Sequence, residues 1–127
     1  MRRWWWLLDL VIVLAFVAIG RASHHHGDSV AGVVSTAWPF VLGLGAGWLV
    51  VAVRGRTGGR VGDGAVVLVT MVAVGMALRV FVGQGTAAAF IVVALAFNGA
   101  FMLGARLVWP RVARHVEHRP VARGRPR

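Results

Sequence analysis

The fold is decided by residues 65–109, which read AVVLVTMVAVGMALRVFV, then GQG, then TAAAFIVVALAFNGAFMLGARLVW. Each of the two apolar runs is close to the about 20 residues that a helix needs to cross the hydrocarbon core of a bilayer. Strands of membrane barrels are shorter and alternate polar with apolar side chains, which these runs do not. Because only Gly83-Gln84-Gly85 joins the runs, they predict a tight antiparallel pair of transmembrane helices, 65–82 and 86–109.

Two more apolar runs precede this pair, at 4–20 and 37–53. The chain is 58% hydrophobic and only 14% charged, whereas a soluble domain needs a more charged surface. We therefore expect an all-α fold, an integral membrane four-helix bundle over residues 1–109, followed by a basic, disordered tail over 110–127. The first run also has the basic start of a cleaved signal peptide, but Trp4, Trp5 and Trp6 are typical of an interfacial anchor and favour a retained helix.

The 14 basic residues, all of them arginine, decide the predicted orientation. Most lie before the first run, between the second and third runs, and in the tail, whereas the connection between the first and second runs carries only Arg21. Since basic residues accumulate on the cytoplasmic side, we expect a multi-pass protein of a bacterial plasma membrane with both termini in the cytoplasm. The arginines suit anionic lipids at that face. They form no stripe with stacking aromatic residues, so nucleic acid is not an expected partner.

Asp9 and Arg106 are the charged residues that the predicted helices place at a similar depth near the cytoplasmic side. An aspartate in mid-helix costs about 2.5–3.5 kcal/mol on insertion, less near an interface. Helices one and four run in opposite directions, so the Arg106 guanidinium can bind the Asp9 carboxylate with two hydrogen bonds. This predicts an Asp9–Arg106 pair, either as a packing clamp or in a proton or substrate role.

Arg79 and Asn98 are further polar residues inside the predicted helices. Arg79 lies near the outer end of the third helix, where Asp28, backbone carbonyls or lipid phosphate are candidate partners. Together with Arg21 it gives the outer face two arginines for one acid, a site suited to an anion such as a lipid headgroup. Asn98, in the middle of the fourth helix, is expected to hold helices together, with Thr70 as one candidate partner.

Glycines and histidines supply the remaining candidate sites. Gly43 and Gly47 have the spacing that lets helix backbones approach closely, either within the bundle or across a dimer. His24 and His26 with Asp28 are weak metal candidates, because adjacent histidines do not easily converge on one ion. No carboxylate pair, nucleophile set or phosphate-binding loop is present, so neither an enzyme nor a cofactor is expected.

Several of these residues also occur together in a known pattern. The matching features are Asp9 in the first helix, Gly20-Arg21 with His24, Pro39-Phe40, Gly47-Trp48, Gly75-Met76 with Arg79, and an aliphatic helix after Gly85-Thr86. Over about residues 7–109 the chain resembles the bacterial, mostly actinobacterial, membrane family called domain of unknown function 3054. The resemblance implies a small four-helix membrane protein and no assigned activity.

Two functions fit the sequence. The first is a non-catalytic structural or accessory subunit that assembles with itself or with a membrane protein partner. The alternative is a small oligomeric transporter in which Asp9 is the coupling carboxylate, by analogy with small multidrug transporters, an analogy that rests on architecture alone. The one-sided distribution of arginines predicts a single orientation in the membrane. Antiparallel transporter dimers require a weak orientation bias, so this distribution is evidence against them.

Overall fold

A computed structural model of the chain describes residues 4–23, 29–84 and 88–117, and these form four helices and no strand. The helices are α1 (Trp4–Ser23), α2 (Val30–Val53), α3 (Val61–Phe81) and α4 (Ala88–Glu117). All four are long and apolar enough to cross a membrane. The expectation of an all-α, multi-span membrane protein is confirmed.

The second and third helices begin earlier than the apolar runs that predicted them. The Oγ atom of Ser29 accepts a hydrogen bond from the backbone N–H of Gly32 at 3.1 Å, so α2 has an N-terminal cap and starts at Val30. Such a cap satisfies an N–H that the helix leaves unpaired. Residues 30–36, expected in an outer loop, are therefore helical, and α3 starts at Val61 rather than near residue 65.

The fourth helix continues past Trp109 and through Pro110 to Glu117. Proline removes one backbone hydrogen bond from a helix interior, and no glycine follows it before Glu117 to end the helix. The Nη1 group of Arg111 also donates to the carbonyl of Leu107 at 3.3 Å. Residues 110–117 of the expected disordered tail are thus helical, and residues 118–127 lie outside the described part.

The helices form a ring in which α1 contacts α2, α2 contacts α3, α3 contacts α4 and α4 contacts α1. The closest pair is α2 with α3. A Cβ atom added to Gly43 would lie 2.5 Å from the carbonyl oxygen of Met71, and one added to Gly47 would lie 2.9 Å from the Cα atom of Val67. The glycine spacing in α2 therefore serves packing within the bundle.

Aromatic rings fill the half of the bundle that lies away from the termini. Phe16 of α1 lies 5.8 Å from Phe90 and 5.5 Å from Phe97, both on α4, between ring centroids. Phe40 of α2 also contacts Phe16 and Phe90. Rings at these distances attract one another beyond the area they bury. The half nearer the termini holds the buried ion pair of Asp9 with Arg106 instead.

Candidate functional site

Asp9 and Arg106 form a two-bonded ion pair between α1 and α4. Nη1 of Arg106 donates to Oδ1 of Asp9 and Nη2 donates to Oδ2, each at 2.8 Å. Both side chains are fully enclosed, with exposed fractions of 0%. Parallel N–H···O bonds of this kind are among the strongest hydrogen bonds in proteins. The structure thus brings together the two residues that the sequence placed at equal depth.

Two further N–H groups of the Arg106 guanidinium also have acceptors. Nε donates to the backbone carbonyl of Gly58 at 2.8 Å, and Nη1 donates a second bond to the carbonyl of Met102 at 3.1 Å. The Cζ atom lies 4.8 Å from the centroid of the Trp5 ring, a cation–π contact. The aliphatic part of the side chain passes over Gly64, where an added Cβ would lie 2.7 Å from Cδ of Arg106. These contacts hold the guanidinium in one position.

The connection between α2 and α3 is bound to this ion pair through Gly58. The backbone N–H of Gly58 donates a hydrogen bond to Oδ2 of Asp63 at 3.2 Å, and the Gly58 carbonyl accepts the hydrogen bond from Arg106. The residue has φ +80°, a conformation that favours glycine, and a Cβ there would lie 2.6 Å from the Trp48 ring. Arg106 therefore contacts α1 and the connection between α2 and α3 as well as its own helix.

Asp63 is the functional candidate that sequence reasoning missed. It is 1% exposed, and its Oδ1 lies 3.6 Å from Nη1 of the half-exposed Arg56, an ion pair longer than a hydrogen bond. The apolar run that predicts the third helix begins only at residue 65, so the sequence assigns Asp63 to the polar connection before that helix. Its place in the first turn of α3 was the available signal, since acids are favoured at helix N-termini.

Asn98 does not bind Thr70 in the structure. Its Nδ2 group donates to the carbonyl of Ala94 in its own helix at 2.9 Å. Its Oδ1 atom is buried and accepts no hydrogen bond from the described residues. The predicted link between α3 and α4 is therefore wrong, because the amide bonds to the preceding turn of α4 instead of across the bundle.

Arg21 and Arg79 lie together at the end of the bundle away from the termini. Nη1 of Arg21 donates to Oγ1 of Thr36 at 3.0 Å. Arg79 donates to the side-chain and backbone oxygens of Gln84 at 3.4 and 3.3 Å, and its Cζ atom lies 4.8 Å from the Phe90 centroid. Both arginines line a cleft of about 610 Å³. The cleft is a candidate binding site.

The three metal candidates, His24, His26 and Asp28, lie outside the described residues, as does the candidate contact of Arg79 with Asp28. Within residues 4–23, 29–84 and 88–117, no group of three or more histidine, cysteine or acidic side chains could hold a metal ion.

The chain matches a family of known sequences. The profile of a family described as "Protein of unknown function (DUF3054)" matches residues 6–109, which cover most of α1, all of α2 and α3, and most of α4. Comparisons with curated proteins and with solved structures found no significant match. Since the matched residues make up most of the 127-residue chain and include Asp9, Asp63 and Arg106, this small four-helix membrane protein belongs to the DUF3054 family.

Proposed function

We propose that this protein is a non-catalytic structural or accessory subunit of a bacterial plasma membrane, with both termini in the cytoplasm. It acts by assembling with a membrane protein partner or with further copies of itself. Anionic lipids contact its cytoplasmic end, and nucleic acid has no part in its function.

The observation that carries this proposal is the internal pairing of the buried Asp9 carboxylate with Arg106. A coupling carboxylate in a transporter must exchange its proton or cation during each cycle, so water or substrate must reach it. Asp9 is enclosed, and both of its oxygens accept hydrogen bonds from Arg106. The geometry therefore favours a clamp that joins α1 to α4 over the alternative, a small oligomeric transporter that uses Asp9.

The charge of the two bundle ends supports the proposed orientation. Exposed arginines at the end that holds the termini include Arg54, Arg60, Arg111 and Arg114. This end suits the anionic inner leaflet, where each basic residue near the surface contributes about 1 kcal/mol of attraction.

The orientation can be tested by labelling, because the chain contains no cysteine. Ser35 and Thr57 are exposed and lie at opposite ends of the bundle. With a membrane-impermeant maleimide on intact cells, we expect Ser35→Cys to be labelled and Thr57→Cys to react only after permeabilisation. The reverse pattern would contradict the positive-inside assignment.

The accessory role is tested by affinity purification of the tagged full chain from native membranes in a mild detergent. We expect a membrane protein in constant stoichiometry, identified by mass spectrometry, or a defined homo-oligomer without transport activity. Membranes that carry the tag on an unrelated four-helix protein serve as the control. Recovery of a lone homo-oligomer whose proteoliposomes carry out Asp9-dependent flux would overturn the proposal.

A further inference from the structure

The cleft at the end away from the termini has a polar end and an apolar wall. Arg21, Arg79 and Gln84 lie within three residues of helix ends, and Thr36 lies six residues after the start of α2. The apolar lining comes mainly from α1 and α4 and consists of Phe16, Val17, Ala89, Phe90 and Val93. Phe16 lies five residues before Arg21, about 7 Å deeper along the helix at 1.5 Å per residue. A bound molecule would therefore meet cations near the membrane surface and hydrocarbon further in.

The charge of this end favours an anion. Arg21 and Arg79 contribute two positive charges, and the chain contains four acidic residues in all. Asp9, Asp63 and Glu117 lie in the half of the bundle that holds the termini. Only Asp28 belongs, by sequence, to the end that carries the cleft. Even when it is counted in full, the two arginines leave an excess of positive charge.

The walls favour a lipid over a small soluble anion. The cleft of about 610 Å³ is in the range of small-molecule sites, about 300–1,000 Å³. Its α4 side continues into Val93, 54% exposed, and Val92, 64% exposed, on a helix surface that faces the bilayer. A phosphate ion would contact the polar end alone, whereas an acyl chain could reach the apolar lining from the surrounding bilayer.

We infer that this cleft binds an anionic phospholipid of the leaflet opposite the termini, with its phosphate at Arg21 and Arg79 and one acyl chain against Phe16, Phe90 and Val93. The site is separate from the Asp9–Arg106 pair, and the inference does not depend on the accessory role. It makes the bundle a lipid-binding protein with a defined headgroup site.

The test is photo-crosslinking of the purified full chain with phosphatidylglycerol that carries a diazirine on its acyl chain, followed by peptide mapping. We expect crosslinks on the cleft-lining segments of α1 and α4. The double variant Arg21→Gln/Arg79→Gln should lower their yield about tenfold, since charge-assisted bonds to phosphate are lost. The matched control Arg54→Gln/Arg60→Gln removes the same charge at the other end and should leave the yield unchanged.

Two further measurements make the result decisive. Ala89→Trp retains both arginines and fills the cleft from an exposed position, so it should also lower the crosslink yield while the protein melts near the wild-type temperature. Excess inorganic phosphate should leave the yield unchanged. Wild-type yields in both the arginine double variant and Ala89→Trp would overturn the inference. So would displacement of the lipid by inorganic phosphate, which would identify a small-anion site.

Discussion

Replacing Asp9 by asparagine should destabilise the bundle strongly. Arg106 donates four hydrogen bonds, and two of them go to the Asp9 carboxylate. Asparagine keeps one acceptor oxygen and places an NH₂ group against the second donor, while the guanidinium charge stays enclosed without its counter-charge. Each charge-assisted bond contributes about 1.5–3 kcal/mol, and removing one partner of a buried pair costs about 3–5 kcal/mol. We expect the free energy of unfolding to fall by about 3 kcal/mol.

The assay is a double-mutant cycle in detergent micelles. Unfolding by sodium dodecyl sulfate is followed by tryptophan fluorescence for Asp9→Asn, Arg106→Met and the two combined. The double variant should recover part of the loss, because neither charge is then left alone, although the Gly58 carbonyl still lacks its donor. Arg111→Met, at an exposed position on α4, is the control and should change the free energy by less than about 0.5 kcal/mol. Additive losses in the double variant would refute the pairing argument.

Two further predictions concern close approaches that only glycine permits, each measured by the same unfolding assay. Gly47→Ala should lower the free energy of unfolding by about 1–3 kcal/mol, because the added Cβ meets the α3 backbone. The control Gly45→Ala should not lower it, since a Cβ there has no neighbour within 4 Å. Equal effects of the two substitutions would contradict the α2–α3 contact. Gly64→Ala should lower the free energy of unfolding by a similar amount, because the added Cβ would displace the Arg106 side chain. The control Gly62→Ala places its Cβ in open space and should be neutral or slightly stabilising. A neutral Gly64→Ala would show that the guanidinium is not fixed in this position.

The transmembrane spans and their order could be predicted from the sequence, because a helix that crosses the bilayer requires a long apolar run. Each apolar run corresponds to one helix of the structure. Helix ends could not be read from apolarity alone. The start of α2 depends on the Ser29 hydroxyl, and α4 continues through Pro110 because nothing after the proline ends the helix.

The candidate site could likewise be predicted only in part from the sequence. The contact of Asp9 with Arg106 followed from depth along two antiparallel helices. The direction of the Asn98 amide depends on rotation of its side chain relative to α4, which depth does not specify. Asp63 was missed because it precedes the apolar run, and its burial comes from the connection that returns over the end of the bundle. The cleft depends on helix packing, although its two arginines were recognised.

In the proposed function, Asp9 stabilises the fold and does not couple transport. The most direct test measures proton flux with an internal pH dye in proteoliposomes under a gradient of a quaternary ammonium cation. Wild type is compared with the folded double variant Asp9→Asn/Arg106→Met. If Asp9 only stabilises the fold, both proteins should give the same flux as protein-free liposomes. Cation-driven proton flux in wild type that disappears in the folded double variant would contradict it.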